Sequence, residues 1–301
     1  MISVLIPIFN TDVRELVNAL SNQLVKTKQQ FEICLLDDGS LKEYQIINRE
    51  LNNSAYCNYK EYDTNKGRLH TRKELASTAQ YPWLLFIDAD CVINNSQYIS
   101  NYLDHFKEGT DVIIGGTAYS KVKPSDCVYH LHWLYGSKRI ATYTSTSKKK
   151  ENPYQGFLFN NVLIKKDLFL SLSFPKQLQG YGHEDTWVGM QFEMKNIKLI
   201  KTNNPVLHPQ LDEAAAFLQK NIYALNNLKQ LLSISPESQI AAHVKIYRYY
   251  KLLRKYKITK LFNFFIQLLE NKLKKNLSGC TPSLILFDLF RLYHLNKIMQ
   301  D

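Results

Sequence analysis

Short apolar runs alternate with segments of helical periodicity over residues 1–95. Residues 2–8 form a β-branched apolar run, which predicts a buried strand, and residues 12–26 carry apolar side chains at helical spacing. Further strands are predicted over 31–36, 55–62 and 83–87, and further helices over 42–52 and after Gly67. Strands that alternate with helices in this way indicate an α/β fold with a Rossmann-like, mostly parallel sheet.

The pattern becomes mixed beyond residue 95. The predicted elements there are helices over 96–107 and 186–195 and strands over 111–118, 157–164 and 197–201. From about residue 212 the whole chain has helical character, with breaks near residues 235–236 and 279–282. We therefore predict two parts, an α/β part over 1–211 and a helical region over 212–301.

The charge of the chain is concentrated in its last part. The 301 residues carry a formal net charge of +11. Residues 1–217 hold 24 basic and 23 acidic side chains, whereas residues 218–301 hold 14 basic and 4 acidic ones. A nearly neutral first part is not typical of a nucleic-acid-binding protein, so we expect no nucleic-acid partner.

The five cysteines are an odd number, lie far apart and include no CxxC pair. This usage favours a reducing compartment.

The apolar run at residues 2–8 has no basic segment before it, so a strand is a better interpretation than a signal peptide. No apolar stretch reaches the roughly 18 residues needed to span a bilayer, and we expect a cytoplasmic protein.

Two carboxylates, Asp88 and Asp90, follow the predicted strand over 83–87. In parallel sheets the ligand lies beyond the carboxyl ends of the strands. Carboxylates two residues apart can hold one Mg²⁺ or Mn²⁺ ion, which in turn can bind a diphosphate. The alternative is a pair of ordinary acidic turn residues.

Asp38, in the Asp-Asp-Gly-Ser turn after another strand, can bind a base or a ribose, or can simply belong to a turn that opens a helix.

Residues 180–185 read Gly-Tyr-Gly-His-Glu-Asp and open a predicted helix. Tyr181 offers a face for a sugar ring, and Glu184 and Asp185 offer carboxylates for its hydroxyls, one of which could act as a general base. The alternative is that the two carboxylates only stabilise the helix N-terminus. His208 is a candidate metal ligand if it lies close to Asp90, although a lone histidine is more often structural.

Six segments in order resemble the family-2 glycosyltransferases of the GT-A fold. They are residues 2–10, 37–40, 65–67 with Arg72, 88–90, 115–116 and 180–185. The last of these is similar to the acceptor motif of galactosyltransferase and chondroitin-polymerase-type members. The resemblance covers about two thirds of the chain. It implies a GT-A domain over 1–211, with a nucleotide-binding half over 1–95 and an acceptor half over 96–211.

The resemblance also implies a role for each matching residue. The nucleotide would be bound by Pro7, Phe9, Asn10, Asp38, Arg72 and Asp88. Asp90 and His208 would ligate Mn²⁺ or Mg²⁺, and the imidazole favours Mn²⁺. Tyr181, His183 and Glu184 would bind the acceptor, and Asp185 would be the catalytic base.

The implied reaction is an inverting transfer of a hexosyl group. The donor would be a nucleotide-sugar, with UDP as the nucleotide, and the acceptor a saccharide or lipid-linked saccharide of a growing surface polysaccharide or glycolipid. Arg72 and the cation would stabilise the departing diphosphate.

Residues 245–275 interleave basic with aromatic and aliphatic side chains. Basic amphipathic helices suit an anionic membrane surface, which would place the protein on the inner face of the membrane. The alternative is a helical subdomain whose apolar stripes pack on the catalytic domain and leave a solvated basic face.

Two other functions remain open from the residues alone. The Asp88–Val92 segment fits the DxDx[TV] pattern of haloacid-dehalogenase-type phosphatases, but that interpretation leaves the segments at 37–40 and 180–185 unexplained. A sugar- or membrane-binding scaffold without catalysis is the second, and the intact acidic candidates argue against it.

Overall fold

A seven-stranded sheet forms the centre of the α/β part. The structure is a computed structural model that describes residues 1–106, 109–141, 152–176, 178 and 182–300. The strands of this sheet are β1 (Ile2–Ile8), β2 (Phe31–Asp37), β3 (Cys57–Glu61), β4 (Trp83–Ile87), β5 (Val112–Ile114), β7 (Asn161–Lys165) and β8 (Leu199–Lys201). Their order is β3-β2-β1-β4-β7-β5-β8, and β6 (Thr117–Ala118) pairs with β9 (Val206–Leu207) beside it.

All pairings in the large sheet are parallel except those of β7, which runs antiparallel to β4 and to β5. The prediction of a mostly parallel α/β sheet is therefore confirmed. The predicted strand over 157–164 is wrong at its start, because β7 begins only at Asn161. Residues 157–159 lie before the strand, where Phe157 and Phe159 pack into the core.

The α-helices before residue 212 connect the strands and cover both faces of the sheet. They are α1 (Arg14–Leu24), α2 (Lys42–Arg49), α3 (Arg68–Thr78), α4 (Tyr98–Leu103), α5 (His130–Tyr135), α6 (Lys166–Leu170) and α7 (Glu184–Met194). One face of the sheet packs against α1 and α4, and the opposite face packs against α3, α6 and α7. Each face has its own apolar core, because successive side chains of a strand point to opposite sides.

Five helices follow residue 212, in agreement with the predicted helical character of this region. They are α8 (Ala214–Ile234), α9 (Glu237–His243), α10 (Lys245–Lys255), α11 (Thr259–Leu277) and α12 (Leu284–Ile298). Their apolar side chains form two clusters, one shared with Trp187 and Met190 of α7 and the other with Leu131 of α5. The helical region thus packs on the α/β part through these two helices. No helix in the described part of the chain has the length and apolar character that a membrane span requires.

A disulfide joins Cys127, just before α5, to Cys280 in the turn between α11 and α12. Cys34, Cys57 and Cys91 are free thiols. This bond goes against the reducing compartment that the odd number and wide spacing of the cysteines favoured, because separation along the chain says nothing about which residues the fold brings together.

Candidate active site

The carboxyl ends of β2, β1 and β4 are neighbours in the sheet, and each continues into a loop that carries predicted site residues. Asp38 directly follows β2 and is buried. One of its carboxylate oxygens accepts a 2.7 Å hydrogen bond from the Lys66 backbone N–H, and the other accepts a 2.9 Å bond from that of Gly67. Asp38 therefore fixes the loop that leads into α3.

The loop after β1 is held against the loop after β2. The Asn10 backbone N–H donates to the Ser40 hydroxyl at 2.7 Å, and the Asn10 side-chain oxygen accepts from the Leu41 N–H at 2.9 Å. Asn10 has a φ of 50°, and Phe9 beside it is 50% exposed. Pro7 lies within β1, opposite Leu36 of β2. The structure thus brings Pro7, Phe9 and Asn10 together with the Asp38 loop.

Arg72 of α3 reaches Asp88 at the end of β4. The guanidinium donates to the Asp88 carboxylate at 2.6 Å and lies over the Phe159 ring, 5.2 Å from its centre. The Arg72 side chain is only 3% exposed. Its Nε and Nη1 atoms have no hydrogen-bond partner among the described residues. Buried donors without partners are rare in folded proteins, so this guanidinium is suited to receive an anionic ligand.

The first turn of α7 carries both acidic residues of the predicted acceptor motif. Glu184 is buried and forms an ion pair with Arg68 of α3. Asp185 follows it, and one oxygen of its carboxylate is buried without a partner in the described part of the chain. His183 precedes the helix with a φ of 68°. The alternative, that both carboxylates only stabilise the helix N-terminus, does not explain the ion pair or the unpartnered oxygen.

The charges around Asp185 act on its proton affinity in opposite directions. Burial raises the pKa of the Asp185 carboxyl above its ordinary value. The guanidinium groups of Arg72 and Arg68 oppose this shift, whereas the Asp88 carboxylate adds to it. Asp185 therefore lies within electrostatic reach of the Arg72–Asp88 pair, although these residues are far apart in the sequence.

Asp90 and His208 also come together. His208 Nε2 lies 3.3 Å from an Asp90 carboxylate oxygen, and the ring of Tyr119 stacks on the imidazole with centres 5.5 Å apart. An antiparallel bridge between Val92 and Leu207 holds the two segments side by side. Burial raises the pKa of Asp90, with the nearby His208 opposing the shift and Asp88 adding to it.

The donor set for a metal ion at this point is small. No cluster of three or more His, Cys, Asp or Glu side chains with metal-binding spacing occurs among the described residues. Asp90 and His208 nevertheless supply an oxygen and a nitrogen ligand, and His208 Nδ1 is buried without a partner. A carboxylate and an imidazole suit Mn²⁺, provided that a ligand with its own oxygens completes the coordination.

His183 lines a separate cavity of about 470 Å³ between the α/β part and the C-terminal helices. Thr186 of α7 and Arg291 of α12 share its wall. Burial and the positive charge of Arg291 lower the pKa of His183 to about 4, so the imidazole is neutral at pH 7. His183 and Gly182, whose carbonyl accepts a hydrogen bond from Asn227 of α8, join the predicted acceptor motif to the helical region.

Most of the predicted site residues thus gather at one side of the molecule, in three adjoining groups: the loops of Asn10 and Asp38, the Arg72–Asp88–Asp185 cluster, and the Asp90–His208 pair. Tyr181 lies outside the described residues. The sequence analysis missed Arg68 and Tyr119. Arg68 lies one helical turn before Arg72 and so shares its face of α3, which is a signal that could have identified it.

Comparisons with known proteins agree with this fold. A mannosyltransferase from Pyrobaculum calidifontis, solved in complex with GDP-Man and Mn²⁺, aligns over 100% of this chain and 88% of its own, with 11% identity and a TM-score of 0.57. Glucosyl-3-phosphoglycerate synthase from Mycobacterium tuberculosis, solved with Mn²⁺, UDP and phosphoglyceric acid, aligns over 77% of this chain and 78% of its own, with 16% identity and a TM-score of 0.52. These similarities show a shared GT-A fold.

A comparison with curated protein sequences gives no match. The sequence profile described as "Glycosyl transferase family 2" matches residues 3–169, which is more than half of the chain. This match argues against the phosphatase alternative. The chain belongs to glycosyltransferase family 2 and is a glycosyltransferase.

Proposed function

We propose that the protein transfers a hexosyl group from a nucleotide-sugar, with UDP as the nucleotide, to a sugar hydroxyl, with inversion at the anomeric carbon. The observation that carries this proposal is the buried Asp185 carboxylate, which has an unpartnered oxygen and interacts electrostatically with Arg72 and Asp88. The acceptor oxygen forms its bond to the anomeric carbon as the bond from that carbon to the diphosphate oxygen breaks. Asp185 takes the proton of the acceptor hydroxyl, and the electron pair of the broken bond leaves with the nucleoside diphosphate.

The donor nucleotide would lie over the ends of β1 and β2. The exposed ring of Phe9 provides a stacking surface for the base. The Asp38 oxygens already accept backbone hydrogen bonds, but each retains a second lone pair with which it can accept from a base N–H. The free Nε and Nη1 donors of Arg72 would bind the diphosphate and stabilise its charge as it departs.

Asp90 and His208 are the residues that would hold a divalent cation, Mn²⁺ in preference to Mg²⁺. When bound, the cation would neutralise the charge that develops on the diphosphate. The two solved structures above were obtained in complex with both a nucleotide and Mn²⁺, which supports a divalent cation here as well. Asp88 would remain with Arg72 and hold the guanidinium in place.

The acceptor would approach from the side of α7. His183 and Glu184 belong to this face, and the cavity that His183 lines is large enough for a saccharide unit. Its wall combines apolar side chains with Arg291 and Lys245, a combination that suits a saccharide joined to an anionic or lipid group. We therefore propose a saccharide or lipid-linked saccharide of a surface polysaccharide or glycolipid as the acceptor.

Replacement of the proposed base tests this function. Asp185→Asn removes the proton acceptor while preserving the size of the side chain, so we expect sugar transfer to fall at least about 1000-fold. Binding of the donor nucleotide is expected to change little. Transfer is measured with a panel of nucleotide-sugars chosen by Mn²⁺-dependent thermal stabilisation of the protein.

The matched control is Asp167→Asn, because Asp167 is an exposed carboxylate in the first turn of another helix, α6. This variant should transfer sugar at the wild-type rate. Wild-type turnover by Asp185→Asn would remove Asp185 from the role of base. Failure of every nucleotide-sugar to stabilise the wild-type protein in the presence of Mn²⁺ would overturn the donor assignment.

A further inference from the structure

Helix α11 has a row of large apolar side chains that face solvent. Leu261, Phe264, Phe265 and Leu268 are between 54% and 66% exposed. We call these four residues the apolar stripe. Their spacing of three and four residues places them on one face of the helix. Contiguous exposed apolar surface of this kind is uncommon in proteins that bind nothing there.

The opposite face of α11 is the one that packs into the apolar core, so the exposed stripe is an additional apolar face of this helix. Ile266, Leu273 and Leu277 are buried against α12 and α8. The helix is therefore already packed through one apolar face and has a second one. The first face packs mainly within the helical region, in a cluster that also contains Leu131 of α5, so the expected packing of apolar stripes on the catalytic domain does not account for the second face.

The chain segment that carries the stripe is strongly basic. Residues 245–275 contain ten Lys and Arg and a single acidic residue, Glu270. Lys272 and Lys275 continue the line of the stripe along the helix, since they follow Leu268 by four and seven residues. Both are exposed, and neither has a carboxylate within ion-pair distance in the described part of the chain.

The turn between α10 and α11 extends the same character. Tyr256 and Ile258 are exposed there, next to Lys255 and Lys257. Lys257 has a φ of 56°, a conformation that ends α10 and turns the chain into α11. Apolar side chains bordered by exposed lysines thus run from the turn along the exposed side of α11.

We propose that the apolar stripe and its lysines dock this protein on an anionic lipid bilayer, with Phe264 and Phe265 inserted among the acyl chains and Lys272 and Lys275 at the headgroups. A lipid surface offers both an apolar layer and negative charge, and it matches the two properties of this face together. A second copy of the chain would bring two strongly positive surfaces into contact, which disfavours dimerisation here. The surface lies outside the candidate active site, so the inference does not depend on which sugar is transferred.

Co-sedimentation of the full-length protein with vesicles tests the proposal. The wild-type protein should bind vesicles of phosphatidylglycerol and phosphatidylcholine, should bind pure phosphatidylcholine vesicles far more weakly, and should be released by salt. Phe264→Ser combined with Phe265→Ser, and separately Lys272→Glu combined with Lys275→Glu, should each lower the partition coefficient by about tenfold or more. All four side chains are exposed, so the variants are expected to fold.

Two matched controls use exposed residues elsewhere. Ile46→Ser combined with Val122→Ser removes apolar surface, and Lys26→Glu combined with Lys28→Glu reverses two charges; neither should change vesicle binding. Wild-type protein that ignores anionic vesicles, or a serine variant that binds them as wild type does, would overturn the proposal. So would a dimer that the serine variant converts to monomer without a change in vesicle binding. Hydrolysis of the nucleotide-sugar in solution should be equal in all these variants, which separates this test from that of the reaction.

Discussion

At the scale of single residues, the candidate site is defined by charged groups that are buried but only partly satisfied. Arg72 has one carboxylate partner and two unused donors. Asp185 has an unused acceptor, and its carboxylate interacts electrostatically with the same guanidinium. A buried charge without full compensation is costly for folding, and such groups are concentrated in functional sites because a ligand completes them.

The environment of Asp185 predicts a particular pH dependence. A general base works when deprotonated, and burial raises the pKa of Asp185, so activity should fall on acidification at a pH above the ordinary value for aspartate. Arg68 opposes that shift. Arg68→Gln removes the opposing charge, and we expect the acidic limb of the kcat/KM profile to move to higher pH.

Arg49→Gln is the control for this experiment, because Arg49 forms an ion pair with Glu61 and is not among the groups that shift the pKa of Asp185. Its profile should coincide with that of the wild type. An acidic limb that moves to lower pH in Arg68→Gln would show that another group titrates.

The sequence predicted some of these residues and missed others for a physical reason. Asp88 and Asp90 could be placed because they end an apolar strand, and the ends of parallel strands share one side of the sheet. The pairing of Arg68 with Glu184 could not be predicted, because it joins helices from distant parts of the chain. Nor could the sequence show that the Asp38 carboxylate would hold the loop before α3.

At the scale of secondary-structure elements, the nucleotide-side loops depend on close backbone approach. Gly39 has a φ of 76°, and a Cβ atom there would lie 2.6 Å from the backbone N of Asn65 and from the carbonyl carbon of Thr64. The turn after β2 therefore touches the loop that Asp38 holds. This contact requires glycine at position 39.

Gly39→Ala and Gly67→Ala form a matched pair for testing that contact. Both residues have positive φ, but a Cβ on Gly67 would meet no atom within 4 Å. We expect Gly67→Ala to lower the free energy of unfolding by about 1 kcal/mol from backbone strain alone. Gly39→Ala should cost about 1–3 kcal/mol more because of the overlap. Denaturant unfolding measures both, and equal losses would contradict the close approach.

The elements themselves were largely predictable, whereas their directions were not. Apolar runs marked β1, β2 and β4 because these strands are buried on both faces. Nothing in the run before Lys165 indicates that β7 is antiparallel, since a side-chain pattern reads the same in either direction. The helix α5 lies in a polar, lysine-rich segment with little periodicity, where its contact with α8 and α12 decides the structure.

At the scale of the whole molecule, the helical region has two different sides. Its inner side packs on α5 and α7. The candidate base Asp185 lies in the first turn of α7, and His183, which lines the cavity, directly precedes that helix. Its outer side carries the apolar stripe of α11. The helical region therefore joins the α/β part on one side and offers the proposed docking surface on the other.

The bond between Cys127 and Cys280 spans 153 residues of sequence and links the α/β part covalently to the helical region. A crosslink that closes so long a loop restricts the denatured ensemble strongly, and its removal should lower the free energy of unfolding by about 2–5 kcal/mol. We expect dithiothreitol to lower the melting temperature of the wild-type protein and to have no such effect on Cys127→Ser combined with Cys280→Ser. Cys57→Ser, which replaces a free thiol, is the control and should respond to dithiothreitol as wild type does.

A reductant that left the wild-type melting temperature unchanged would show that the crosslink contributes nothing to stability. With the bond intact, the helices after residue 212 cannot drift away from the sheet even when the noncovalent contacts between them open briefly. The oxidation state of Cys127 and Cys280 would then determine how long the α/β part and the helical region stay together under thermal or mechanical stress. It would therefore also determine how long the enzyme keeps its folded structure in the absence of a reductant.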